Sequence, residues 1–152
     1  MTFARPMRIN GRVPVLTAEE AVKYIPDEST LCVLGAGGGI LEDTKLIEAL
    51  AERYKTTQPP KHIGDIRPTG LGDRAERGSS PIAQEGLVKW ARCGHWGQSP
   101  RISELAEQNK IFAYNYPQCV LTQMLSDSAA HQPGNLSEIG LGTFVDPRTQ
   151  GG

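Results

Sequence analysis

In the stretch DTKLIEALAERY, the residues Leu46, Ile47, Leu50, Ala51 and Tyr54 fall on one side of a helix and the charges on the other. That is the spacing of a helix laid on a core. Upstream, TAEEAVKYI begins with Thr17 and carries Glu20 three positions later, the reciprocal capping arrangement that starts a helix. Val22 and Ile25 supply its apolar side and Pro26 stops it. Between these two helices, STLCVLG is a short apolar run closed by glycine, which predicts a buried strand. KHIGDI, beyond the TTQPPK linker, predicts a weaker strand. IAQEGLVKWARC reads as helical, with Ile82, Leu87, Val88 and Ala91 on an imperfect apolar side. PRISELAEQN predicts a short helix with proline near its start. KIFAYNYP predicts a third strand, and QCVLTQMLSDSAAH a fourth helical segment ended by QPGN. The segment SEIGLGTFVDPRTQGG starts like a strand and passes into a polar, glycine-rich tail, and residues 1–12 read as an extended arm.

Strands alternate with helices and no segment repeats. The expectation is an α/β fold, a mostly parallel sheet flanked by helices. Its strand ends gather at one edge, where such folds place their sites. RPTGLGDRAERGSSP, from Arg67 to Pro81, is a long polar glycine-rich loop of the functional or mobile kind. Composition narrows the classes further. Net charge is -1 and aromatic content 6%, so neither a basic field nor a stacking platform favours nucleic acid or an anionic membrane. No stretch is long and apolar enough for a signal sequence or a membrane span, and a cytoplasmic location is expected. Cys32, Cys93 and Cys119 are an odd, unpaired set, expected as reduced thiols, with Cys32 as a small buried hydrophobe.

The run VLGAGGGILED poses the chemical question. Gly35, Gly37 and Gly39 follow a strand and precede a helix, the setting of a dinucleotide fingerprint. The spacing fails, because Ile40 and Glu42 stand where the pattern needs glycine. Acids at the helix start also repel a pyrophosphate. No Gly-Lys-Ser/Thr follows for a phosphate loop and no G-x-S-x-G elbow occurs. His62, His95 and His131 are far apart; Cys93 and His95 reach one ion at most, with no second ligand pair, so no metal is expected. Gln118, after a strand and at a helix start in YNYPQC, is placed to donate hydrogen bonds into a crevice at the strand ends.

Three stretches taken together resemble the family I CoA-transferases: RINGRVPVLTAEEAVKYIPDESTLCVLGAGGG, AQEGLVKWARCGHWGQSPRISELAEQNKIFAYNYPQ and IGLGTFVDPRTQGG. The nearest likeness is to the bacterial acetate/acetoacetate (acetyl-CoA:acetoacetyl-CoA transferase) type. It covers nearly the whole chain in order. EGLVKW, GHWG, EQNKIFAYNYPQ and GTFVDPR are its specific parts.

The resemblance implies a glutamate nucleophile that attacks an acyl-CoA, giving a mixed anhydride and then a glutamyl-CoA thioester. A second carboxylate takes the CoA. It implies acyl-CoA and short-chain carboxylate substrates, short-chain fatty acid metabolism, no cofactor besides coenzyme A as substrate, and a homo-oligomer when the enzyme is complete. The family enzyme has two related α/β halves with the active site between them. Gly37, Gly38 and Gly39 would line the acyl-thioester site. Gln118 matches the glutamine of the family's Pro-Gln-Gly motif as a supporting donor, flanked by Asn115 and Tyr116. This sequence departs from the pattern in three places. Cys119 replaces the usual glycine, GAGGGILED replaces G-G-F-x-x-x-G-x-P, and no glutamate matches the nucleophile, since Glu42, Glu85 and Glu104 belong to other segments. The chain is therefore expected to be residues 1–152 of a partial N-terminal domain, with an arm at 1–12 and a tail at 143–152 where the domain is cut. It should be inactive alone and should expose apolar surface where the rest of the enzyme packs. A non-catalytic CoA- or acyl-binding module and a dinucleotide-binding α/β protein are the alternatives.

Overall fold

The computed structural model describes residues 11–35 and 38–149. The capping box forms: Glu20 N–H donates to Thr17 Oγ1 at 3.3 Å and Thr17 N–H to Glu20 Oε2 at 2.9 Å. It opens α1, Ala18–Ala21, which tightens into a 3₁₀ turn over Val22–Tyr24. The amphipathic run becomes α2, Thr44–Thr57, and buries Ile47, Leu50, Ala51 and Tyr54. Leu46, read on the same face, is 41% exposed at the mouth of a cleft beside Ala21, Ile25 and Leu31. The Arg53 guanidinium donates to the carbonyls of Val22 and Ile25, tying α2 to the turn after α1.

The strands β1 (Thr30–Cys32), β2 (Ile63–Arg67), β3 (Val88–Cys93) and β4 (Phe112–Asn115) form one parallel sheet in the order β1-β2-β3-β4. The helices α3, Pro100–Glu107, and α4, Gln118–Ala129, follow β3 and β4. The expected α/β class with a parallel sheet is the observed one. Ile63 of β2 and Val88 and Ala91 of β3 form the core with Ile47, Leu50, Ala51 and Tyr54 of α2, Ile102 of α3 and Ile82.

Three local readings are corrected. IAQEGLVKWARC is not a helix: a 3₁₀ turn over Ser80–Ile82 leads into β3. The register shifts between Ile63 and Gly64, so Ile63 pairs with Val88 and Gly64 with Trp90. That extra residue breaks the period-two alternation and leaves an apolar spacing that imitates a helix. STLCVLG is a strand, but a short one at the sheet edge with Thr30 and Cys32 exposed. Cys32 is thus not a core residue. SEIGLG makes turns and no strand. The Arg67–Pro81 segment is the irregular loop expected, and it is anchored by Pro68, Gly70, Leu71, Gly72, Gly78 and Ser79, which are all buried.

Two glycines allow the close approaches that hold the sheet to its neighbours. A Cβ on Gly64 would lie 2.0 Å from the Trp90 ring, which rests on that backbone. Gly86, at φ +86°, sits where the Tyr54 hydroxyl crosses to donate to the Glu85 carbonyl at 2.9 Å. Gly64→Ala should cost about 2 kcal/mol in urea unfolding, the scale of an overpacked core. A further Trp90→Ala change should return part of that loss.

Candidate active site at the carboxyl edge of the sheet

With all four strands parallel, their carboxyl ends form a single rim, and each exit segment carries one of the sequence signals. The exit of β1 leads to Gly35 and the glycine run, that of β2 to 68–72, that of β3 to Gly94, and that of β4 to Tyr116, Pro117 and Gln118. Neighbouring exits are stitched together. Thr69 Oγ1 donates to the Gly35 carbonyl at 2.6 Å. Gly38 N–H donates to the Gly72 carbonyl at 3.2 Å, and Gly72 N–H donates to Glu42 Oε1 at 2.7 Å. Toward β4, Tyr116 N–H reaches the Cys93 carbonyl at 3.3 Å. A Cβ on Gly94 would lie 2.8 Å from the Pro68 carbonyl oxygen and 3.4 Å from Gln118 Cβ. Small residues are required there because the segments 68–72 and 116–118 close on Gly94 from both sides.

Gly38 and Gly39 are exposed, at φ +84° and +85°, with no atom within 4 Å of an added Cβ. They present bare backbone to open space. Gly37 lies outside the described residues. Gln118 is exposed as the first residue of α4, capped by Pro117, and Asn115 is half-buried at the end of β4, paired in register with Cys93. The structure therefore brings Gln118 and Asn115 together. The glycine run leaves the opposite edge strand, β1, and Gly38 turns back onto Gly72 of the segment after β2, which reaches Gln118 through Pro68 and Gly94. Cys119 lies inside α4 and is exposed. Its Cβ occupies ordinary helical backbone.

Under the rim, on the face of β2 turned toward α3, lies a buried ion pair. Arg67 Nε donates to Asp65 Oδ1 at 3.0 Å and a guanidinium nitrogen meets Asp65 Oδ2. Burial pushes the Asp65 carboxyl up, against the opposing pull of the Arg67 charge. The Cys93 thiol beside them donates to the His95 carbonyl at 2.9 Å, and burial raises its pKa. It is a packed thiol and a poor nucleophile. Ser99 Oγ, also buried, donates to the Leu71 carbonyl and accepts from Ser79 N–H, holding both ends of the long loop. The motif GTFVDPR folds as turns around Asp146. This carboxylate accepts from Gly142 N–H at 2.7 Å and from Arg148, which hold it well below the usual carboxylate range. A cleft of about 490 Å³ separates these turns from Tyr116, Pro117, Val120 and Met124. GTFVDPR thus borders the Gln118 end of the rim.

All three stretches singled out in the sequence contribute segments along this rim, and the pattern of the coenzyme A transferases matches residues 15–151. The chain belongs to the coenzyme A transferase family. Acetate CoA-transferase YdiF of Escherichia coli (strain K12) is 77% identical over 152 residues, all of this chain and 29% of that protein. Caffeate CoA-transferase of Acetobacterium woodii is 37% identical over 139 residues, 90% of this chain and 26% of its own length. The solved structure of the acyl-CoA transferase YdiF from E. coli O157:H7, a thioester complex with CoA, superposes with a TM-score of 0.92 at 76% identity, covering 97% of this chain and 29% of that one. The chain thus spans less than a third of the relatives it matches. Among the described residues no helix is long and apolar enough to cross a membrane, and no group of three ligating side chains forms.

Three rim residues escaped the sequence reading: Thr69, Ser99 and Glu42 in its clamping role. Thr69 is flanked by the only visible signal, the glycine spacing of PTGLG directly after a strand. In the sequence Glu42 reads as a charge against pyrophosphate and as an acid outside the nucleophile's motif, whereas its Oε1 closes on Gly72 N–H. Glu85 pairs with Lys110 at 3.1 Å, and Glu104 is exposed on α3. Asp65→Asn, which leaves the Arg67 charge buried without its partner, should cost about 3 kcal/mol in urea unfolding. The paired replacement Asp65→Leu/Arg67→Met should cost less than that single change.

Proposed function

We propose that this chain is the N-terminal segment of a CoA-transferase that moves CoA between an acyl-CoA and a short-chain carboxylate of the acetate/acetoacetate class. In this reading residues 1–152 form a partial N-terminal domain with 143–152 at its end; the arm read at 1–12 lies, up to residue 10, outside the described residues. The glutamate nucleophile comes from the remainder of the full-length enzyme. Its carboxylate attacks the acyl-CoA carbonyl, the C–S bond breaks, and CoA leaves as thiolate while a mixed anhydride forms. The thiolate then attacks the glutamyl carbonyl and releases the first carboxylate, leaving glutamyl-CoA. A second carboxylate reverses both steps and departs as the new acyl-CoA.

The residues of this chain bind and polarise. Gly38 and Gly39, with Gly37, offer bare backbone to the substrate at the β1 end of the rim. Gln118 donates its amide N–H to the oxygen on which negative charge develops, at the positive end of α4. Asn115 supports it from the end of β4. The observation that carries this reading is the rim itself: open glycine backbone at one end and an exposed carboxamide at a helix start at the other. The 77% identity to an acetate CoA-transferase supports the substrate class.

The chain alone should show no transfer between acetyl-CoA and acetoacetate in a coupled assay. A full-length chimera, in which this chain replaces the 152 matched residues of the E. coli enzyme, should transfer. In that chimera Gln118→Ala should lower kcat about 10²-fold with KM little changed, the signature of a donor used in the transition state. An unchanged kcat would remove Gln118 from the site.

A further inference from the structure

Right-handed crossovers that step in one direction, from β1 through β4, put every connecting segment on the same face of a parallel sheet. Here that face is the one packed by α2 and α3, which bury Ile63 and Ala91. By register the opposite face carries Cys32, Ile66, Trp90, Arg92, Phe112 and Tyr114. Phe112 is 64% exposed, Leu34 beyond β1 is 61% exposed, and Cys32 is exposed. Parallel sheets are found with both faces covered. This one has an apolar, aromatic face with no cover among the described residues.

At its centre stands a cation. The Arg92 guanidinium lies 4.6 Å from the Trp90 ring centroid and 5.6 Å from that of Tyr114, and its Nε is shielded from water without a hydrogen-bond partner. None of the residues that register places on the face, Thr30 and Gly64 included, is acidic. Once covered, that charge needs an anion or carbonyl acceptors. A second copy of this chain docked by a twofold axis through the patch would bring Arg92 toward Arg92 and supply no carboxylate.

We infer that this face is the docking surface for the part of the full-length polypeptide lying outside residues 1–152, which covers it with an apolar layer and sets a carboxylate against Arg92. The inference rests on reading the chain as the N-terminal segment of a longer transferase. That reading draws on the rim, whereas the docking surface follows from the sheet's topology and from Arg92.

The test compares the 152-residue chain with the full-length chimera described above. Cys32 should react with iodoacetamide in the chain and be protected at least 10-fold in rate in the chimera, read by peptide mass spectrometry. Phe112→Asp should shift the melting temperature of the chain by less than about 2 °C, because the side chain is already exposed there, and lower that of the chimera by about 10 °C or more. Equal Cys32 reactivity in the two proteins overturns the inference, as does equal tolerance of Phe112→Asp. A chain that dimerises through this face, with the dimer lost on Phe112→Asp, overturns it too, since the occupant is then a second copy. A chimera that protects Cys32 but transfers no CoA contradicts the functional reading and leaves the docking surface standing. One that transfers CoA with Cys32 fully reactive contradicts the docking surface alone.

Discussion

Everything in this fold follows from the constraint that its strands run parallel and step in one direction. Parallel pairing forces a crossover between each pair of strands, and the handedness of those crossovers lays α2 and α3 on one face. It also brings every strand exit to one rim. The same constraint therefore gathers the chemistry and leaves the other face of the sheet bare. A site at the strand ends and an unfinished second face are two consequences of one topology.

The rim keeps its shape through small residues and short polar contacts. Thr69 and Glu42 tie the glycine run to the segment after β2, while Gly94 lets Pro68 and Gln118 close from both sides. Beneath, Ser99 holds the same segment at Leu71 and Ser79, and the Asp65–Arg67 pair lies buried on the strand before it. Such a buried pair contributes little net stability of its own, but breaking it is expensive.

How much of this was legible in the sequence depended on which force governed each segment. Thr17, Glu20 and the face of α2 were readable because capping and helical periodicity are local. β3 was misread because a register shift at Ile63/Gly64 destroys the alternation that marks a strand. Cys32 was misplaced because local hydrophobicity does not tell whether a second layer covers an edge strand. The loop from Arg67 was legible as a loop, but its polar residues concealed the buried anchors Leu71 and Ser79. The candidate site was visible residue by residue, as GAGGG, Asn115 and Gln118. Its span was not, since only the strand order sets the glycine run and Gln118 at opposite ends of the rim.

The central claim is that this chain builds one side of a transfer site whose attacking carboxylate belongs to the rest of the enzyme. Hydroxylamine capture tests it most directly. The full-length chimera is loaded with acetyl-CoA, quenched with hydroxylamine, and the resulting hydroxamate is located by peptide mass spectrometry. The account predicts one modified glutamate, in a peptide outside the 152 residues of this chain. A hydroxamate on Glu42, or on any other acid of this chain, would contradict it.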